Sequence, residues 1–190
     1  LLEHRQLDLG PGGGFGRRLY PDYVVQAVQL SRLLGKPVQV LWTREDDIRQ
    51  GFCHPATKTR LQAGFDDTGI RCLIQRAACL SAHPEATQVG MTNSRYEIPA
   101  VSFETIREDE NWGIRTGSFR SVGANHNAFT QECFLDEIAH AMKRDPYQLR
   151  RELLTGQPRM RQVLDQAVKR AAWAKPRPAN VGLGLAIHTK

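Results

Sequence analysis

Apolar positions change their spacing midway along the chain, and the change predicts two kinds of structure. From Asp22 to Leu34, Val24, Val25, Val28, Leu33 and Leu34 recur at helical intervals, and Gly35 and Pro37 end the run. Ahead of it, His4 to Leu9 alternates like a strand, and Val38, Val40 and Trp42 predict another short one. Thr43 then caps an acidic turn that reaches Asp47. Thr59 to Phe65 and Ile70 to Leu80 flank Asp66-Asp67-Thr68-Gly69, the signature of a β-hairpin with a turn slightly longer than two residues. Pro84 and Pro99 bracket an irregular stretch, and Val101 to Ile106 alternates again. A second irregular segment, 111–122, carries Gly113 and Gly117. From Asn125, a candidate N-cap, the pattern turns helical, with Phe129, Cys133, Ile138 and Met142 sharing a face. Asp145-Pro146 opens a further helix, Pro158 to Trp173 forms a third, and Pro176 and Pro178 lead into a strand-like run from Val181 to Ile187.

Strands therefore gather in residues 1–110 and helices in 111–178, while 179–190 begins a strand that is cut short. There is no internal repeat. The expected fold is α+β, a mixed or antiparallel sheet whose hairpin packs against helices within one domain. The chain opens on Leu1-Leu2 and stops inside an apolar run, so it reads as an internal piece of a longer polypeptide.

Composition narrows the function classes. At 190 residues, 41% hydrophobic and 24% charged, the chain can bury a sizeable core. No apolar run approaches the ~20 residues of a membrane span, and no signal-peptide pattern is present. The net charge of +6 is scattered in small clusters such as Arg17-Arg18 and Lys143-Arg144. Without a basic tract interleaved with aromatics, nucleic-acid binding is disfavoured, whereas an anionic cofactor or acidic neighbour would use this charge. The four cysteines form no C-x-x-C pair, which argues against zinc or iron–sulfur ligation by this segment. Cys72, Cys79 and Cys133 lie among apolar neighbours and read as buried thiols. The compartment, cytoplasmic or periplasmic, stays open.

The run Gly12-Gly13-Gly14-Phe15-Gly16-Arg17-Arg18 is the richest in chemistry. Glycines leave amide N–H groups unshielded, so a ligand anion can approach the backbone closely. A strand–glycine turn–helix arrangement is also a plausible phosphate cradle. Neither G-x-G-x-x-G nor a P-loop lysine occurs, and the alternative is a plain tight turn with Phe15 as its hydrophobic anchor. A nucleotide- or phosphate-binding enzyme using this loop independently is thereby a weaker reading.

Four phrases in order carry a resemblance: GGGFGRR, PVQVLWTREDD (37–47), GSFRSVGANHN (117–127) and ECFLDEIAHAMKRDPYQLR (132–150). Together they resemble the molybdenum-cofactor subunit of the xanthine dehydrogenase and aldehyde oxidase family, nearer its isoquinoline 1-oxidoreductase beta-subunit branch. The resemblance implies an oxidoreductase that hydroxylates an aldehyde or N-heteroaromatic carbon with water as oxygen source. It implies molybdopterin cytosine dinucleotide as the cofactor and a small partner subunit holding two [2Fe–2S] clusters. Gly13, Gly14, Phe15, Gly16 and Arg17, with Phe119 and Arg120, would then line the cofactor pocket. His126 is a further candidate neighbour of the cofactor, or one half of a helix-capping pair with Asn127.

Arg17-Arg18 departs from the Gly-Lys more often found after this loop in the xanthine dehydrogenase branch. Cys53 falls where xanthine-oxidising relatives place a substrate-contacting arginine, so purines are disfavoured; Cys53 and His54 are the substrate candidates, with a hydrogen-bonded surface histidine as the alternative for His54. No residue here is assigned to a metal. The family's general-base glutamate and a glutamine-glycine phrase do not occur in this sequence, so the chain by itself is expected to be inactive. A non-catalytic assembly domain of the same fold is the remaining alternative. Glu132 and Asp136, four apart on a helix, are expected to anchor arginines or backbone amides rather than do acid–base work.

Overall fold

The computed structural model describes residues 13–79, 88–92, 94–107 and 113–189. The strand expected at His4 to Leu9, Gly12 of the glycine run, Pro84 and the acidic run Glu108-Asp109-Glu110 lie outside the described residues. The chain divides into two compact units that interleave along the sequence: Leu1–Pro55 with Asn111–Arg120, and Ala56–Glu110 with Ser121–Lys190.

In the first unit a 3-10 turn (Arg17–Leu19) leads into α1 (Asp22–Leu34), which ends on Gly35 in the left-handed conformation at φ 61°. α2 (Arg44–Gln50) starts with a reciprocal capping box. The Asp46 amide donates to Thr43 Oγ1 at 3.2 Å, and the Thr43 amide donates to Asp46 Oδ2 at 3.1 Å. The strand expected over Val38, Val40 and Trp42 is irregular chain instead. Alternation makes a strand only where a neighbour supplies a hydrogen-bond ladder, and none pairs with these residues among the described ones. Trp42 serves another purpose, donating its indole N–H to Gln26 Oε1 at 2.9 Å.

The second unit is built on a three-stranded sheet in the order β1 (Thr57–Asp66), β2 (Gly69–Cys79), β3 (Ala100–Arg107). β1 and β2 are antiparallel and β3 runs parallel to β2, so the sheet is mixed. Asp66 pairs with Gly69, which makes the hairpin loop two residues, shorter than expected. The register shift falls between Gly64 and Phe65, inside β1. The Asp66 carboxylate accepts from Arg71 Nε at 2.7 Å and from the Thr68 amide at 2.8 Å. Those bonds hold its pKa well below the usual carboxylate range.

Three helices follow: α3 (Ala124–Ala141), α4 (Pro146–Leu153) and α5 (Pro158–Arg170). Asp145 caps α4 by accepting from the Tyr147 and Gln148 amides at 2.9 and 3.0 Å, with Pro146 in the first turn. α3 begins two positions earlier than a cap at Asn125 would place it. Gly123 is its N-cap, and Asn125 lies within the first turn. Its buried side is also different from the one expected. Asn127, Gln131, Glu132, Leu135, Ile138 and Ala139 face inward, while Phe129 is 70% exposed and Cys133 is exposed.

The core joins Ile70 of β2 to Leu135, Ile138 and Ala139 of α3 and to Leu149 and Leu153 of α4, with Ala63 of β1 and Tyr96 packed against it. The hairpin thus packs on helices, and the fold is α+β as expected. Of the thiols read as buried, Cys79 is buried, Cys72 is half-buried and Cys133 faces solvent. Residues 181–187 carry no strand. That run is pinned instead by the Ile187 amide, which donates to Glu132 Oε2 at 3.1 Å.

Candidate functional site

The glycine loop bends through three left-handed residues, Gly13 (φ 115°), Phe15 (φ 50°) and Gly16 (φ 92°). Gly16 is required twice over. Its φ suits glycine, and a Cβ there would stand 2.2 Å from Ser118 O and 3.0 Å from Phe119 N. The two glycine-bounded segments singled out in the sequence therefore meet, backbone against backbone, within the first unit. Gly14 differs: its φ is not left-handed, and a Cβ would make only an ordinary 3.7 Å contact with Arg18 Cβ. Phe15 is 68% exposed, so it is no hydrophobic anchor for the turn.

Hydrogen bonding around this meeting point is one-sided. Gly14 O accepts from the Arg17 amide at 3.0 Å and Gly16 O from the Leu19 amide at 3.3 Å. On the facing segment the Gly117 amide donates to Cys53 O at 3.0 Å, and the Ser118 amide donates to Tyr20 Oη at 2.8 Å. Among the described residues, no protein acceptor serves the amides of Gly14, Phe15, Gly16, Phe119 or Arg120. Backbone donors seldom stay unpaired unless water or a ligand reaches them. Five such donors lie on the two segments that meet at Gly16.

Cys53 and His54 lie beside the second of these segments. Cys53 bridges to Thr116 in parallel, and its amide donates to Arg115 O at 2.9 Å. The His54 ring lies edge-on to Phe119 with centroids 6.1 Å apart, and its Nδ1 is 3.2 Å from Pro55 O. Arg120 is exposed, its guanidinium 5.8 Å from the Phe119 ring centre.

Arg17 is held by two carboxylates of its own unit. Its Nη1 and Nη2 donate to the two Asp22 oxygens at 2.7 and 3.1 Å, and Nε reaches Asp47 Oδ1 at 3.4 Å. Its Cζ is 5.6 Å from each of the Tyr23, Trp42 and Phe52 ring centres. The Asp22 hydrogen bond raises the pKa of Arg17, and the same bond lowers that of Asp22. The guanidinium thus serves protein carboxylates. Arg18, by contrast, is exposed and makes no side-chain hydrogen bond or ion pair among the described residues.

Sequence reasoning missed Tyr20, which stacks on Phe52 at 4.2 Å and bonds Ser118 across 98 residues. No local signal could have revealed it. Asp22, five residues beyond Arg17 at a helix start, could have been found.

In the second unit His126 is half-buried on α3. Asn127 is fully buried, accepting from Gln75 Nε2 at 3.0 Å and donating to Val89 O at 3.1 Å. Glu132 and Asp136 anchor an arginine, as expected. Arg150 donates to Glu132 Oε2 at 2.9 Å and to Asp136 Oδ1 at 2.6 Å. Among the described residues no group of three His, Cys, Asp or Glu side chains is placed to hold a metal, and no helix is long and apolar enough to cross a membrane.

An α+β chain thus brings two glycine-bounded loops together, with the amides of Gly14, Phe15, Gly16, Phe119 and Arg120 without a protein acceptor among the described residues. Residues 9–154 match the molybdopterin cofactor-binding domain family, and the chain belongs to it. It is 32% identical over 209 residues to a membrane-bound aldehyde dehydrogenase (pyrroloquinoline-quinone) of Gluconacetobacter polyoxogenes, covering 92% of this chain and 27% of that one. Its identity to isoquinoline 1-oxidoreductase subunit beta of Brevundimonas diminuta is 29% over 193 residues, covering 93% and 24%. The chain thus spans about a quarter of the length of these curated relatives. In fold it is similar to quinoline 2-oxidoreductase from Pseudomonas putida 86, with a TM-score of 0.72 at 20% identity over 86% of this chain and 24% of that one. The aldehyde oxidoreductase from Desulfovibrio gigas gives 0.68 at 18% identity over 86% and 20%.

Proposed function

We propose that this chain forms one wall of the cofactor pocket in a molybdenum hydroxylase that oxidises an aldehyde or N-heteroaromatic carbon with water as the oxygen source. The observation that carries the reading is the contact of Gly16 with Ser118 and Phe119, which gathers two sets of unpaired amides at one place. The residues fit a pterin cofactor in kind. The open side of Gly14 lets a flat, anionic molecule approach the backbone, and the Gly14, Phe15, Gly16, Phe119 and Arg120 amides supply donors for its oxygens and ring acceptors. When bound, the molybdenum centre supplies the two-electron oxidation and activates water. The protein's part is to hold and orient. Phe119 and His54, 6.1 Å apart and perpendicular, are the side chains that would flank a planar substrate, with Cys53 beside them.

The cofactor of this reading is molybdopterin cytosine dinucleotide, and the electrons leave through a small subunit with two [2Fe–2S] clusters. The general-base glutamate and the rest of the pocket come from further polypeptide, so the 190 residues alone bind no stoichiometric molybdenum and turn nothing over. The name of one relative carries pyrroloquinoline quinone, a different cofactor; the molybdopterin reading rests on the family match.

The decisive experiment is Gly14→Val in the full-length protein, with molybdenum and released pterin measured per polypeptide. A Cβ at Gly14 would meet only an ordinary 3.7 Å contact, so the variant is expected to fold, with its branched methyls expected to shield the neighbouring amides. A sharp loss of both supports the reading. Wild-type molybdenum and turnover in Gly14→Val would overturn it, as would the absence of molybdenum from the wild-type protein.

A further inference from the structure

We infer that Arg17 is a positioning residue: its two-pronged bond to Asp22, inside a ring of Tyr23, Trp42 and Phe52, sets the glycine loop in the conformation that presents its amides. The inference deepens the function proposed above and rests on it.

Four observations converge. Arg17 sits directly after the left-handed Gly16, so whatever fixes Arg17 fixes the exit of the loop. Both guanidinium prongs reach one carboxylate, at 2.7 and 3.1 Å, and the third nitrogen reaches Asp47 at 3.4 Å. A planar fork paired in this way has a defined orientation, which a lysine ammonium would lack. The Arg17 amide donates to Gly14 O at 3.0 Å and closes the turn, so the backbone and side chain of one residue hold both of its sides. Finally, Phe52 joins this ring of aromatics to the facing segment. It stacks on Tyr20, whose hydroxyl takes the Ser118 amide, and a Cβ on Gly117 would collide with Phe52 at 2.8 Å.

Tyr20 thereby takes the amide just before Phe119, and the Phe119 and Arg120 amides, like those of Gly14 to Gly16, keep no protein acceptor among the described residues. Arg17 acts through the loop, as a supporting residue acts on the groups that touch a ligand. An anion ligand would need its guanidinium turned outward, and here it is turned to carboxylates.

The test uses the full-length protein and three variants: Arg17→Lys, Asp22→Asn and Gly14→Val. Far-UV circular dichroism scores folding, and molybdenum per polypeptide and the visible dichroism of the bound cofactor are read besides activity. Loss of a supporting partner typically costs 10–100-fold in affinity, so folded Arg17→Lys and Asp22→Asn should each retain about tenfold less molybdenum under dialysis, with an altered dichroic band in the occupied fraction. A direct anion ligand predicts the opposite for Asp22→Asn, because freeing the guanidinium would hold the cofactor as well or better, while Lys would keep a phosphate contact. Either of those outcomes overturns the inference. If Gly14→Val loses molybdenum while both other variants keep it, the inference fails and the cofactor reading stands. If Gly14→Val keeps it, the cofactor reading itself fails. Should Asp22→Asn not fold, Arg17→Lys decides alone: tenfold loss supports positioning, and wild-type retention refutes it.

Discussion

Removing the Glu132 carboxylate should strongly destabilise the second unit, because three donors depend on it. Arg150 is fully buried and, among the described residues, the largest side chain to be so. Burial works against its charge, but the Glu132 carboxylate and then Asp136 outweigh that and raise its pKa. Glu132 serves three donors: Tyr96 Oη on Oε1 at 2.8 Å, and Arg150 Nε and the Ile187 amide on Oε2 at 2.9 and 3.1 Å. Glu132→Ala would leave Arg150 with Asp136 Oδ1 at 2.6 Å, Pro146 O at 3.2 Å and Glu132 O at 2.8 Å. Breaking a buried ion pair by removing one partner costs about 3–5 kcal/mol. The surviving Asp136 contact pulls the estimate to the low end, and the abandoned Tyr96 hydroxyl adds about 1 kcal/mol or more. We expect about 4 kcal/mol, a large share of the ~5–15 kcal/mol that holds a typical domain.

Adding Arg150→Met removes the stranded charge, so the double variant should be at least ~2 kcal/mol better than the sum of the singles. Urea unfolding followed by Trp173 fluorescence, with the other tryptophans replaced by Phe, reads the right place, because its indole donates to Asp145 Oδ2 at 2.9 Å beside α4. A Glu132→Ala cost under about 1 kcal/mol, or additivity within ~0.5 kcal/mol, would refute the reasoning.

Gly16→Ala should cost about 1–2 kcal/mol of backbone strain and also push Ser118 away, whereas Gly14→Ala should be nearly neutral; equal denaturation midpoints for the two would contradict the close approach described. Gln75→Leu takes the donor from Asn127 Oδ1 and the acceptor from Gln131 Nε2, which Gln75 Oε1 meets at 2.8 Å, and should cost about 1–3 kcal/mol by chemical denaturation. The Arg17 hydrogen bond lowers the pKa of Asp22 in the folded state, so its contribution is present above the unfolded value of about 3.9 and is lost as pH falls through the folded value. Acid titration of stability should therefore be shallower in Asp22→Asn below about pH 4, and an unchanged acid limb would count against the pair. Burial first, then the Glu132 charge, push the Tyr96 phenol far above its ordinary range, so this tyrosine should stay un-ionised at pH 11 in an absorbance titration while the protein remains folded.

Local signals in the sequence determined α1 with its bounds, the Thr43 and Asp145 caps, the hairpin around Asp66 and Gly69, and the α+β class. Each depends on residues within a turn or two of one another, where apolar period, capping oxygens and glycine conformations act without help from elsewhere. The phrases that resemble the cofactor-binding family were likewise legible, since they are strings of neighbours. Tertiary structure alone decided the rest. Val38 to Trp42 alternates, yet no partner strand is there to pair it. The buried side of α3 can hold Asn127, Gln131 and Glu132 beside its apolar residues because Gln75, Val89, Met91 and Arg150 satisfy them, and buried polar groups are recognisable only once their partners are known. The meeting of Gly16 with Ser118, and the capture of the Ser118 amide by Tyr20 across 98 residues, close a long loop whose entropic cost no local pattern encodes. The surroundings of Arg17, two carboxylates and three aromatic rings drawn from residues 22–52, are likewise visible only in space.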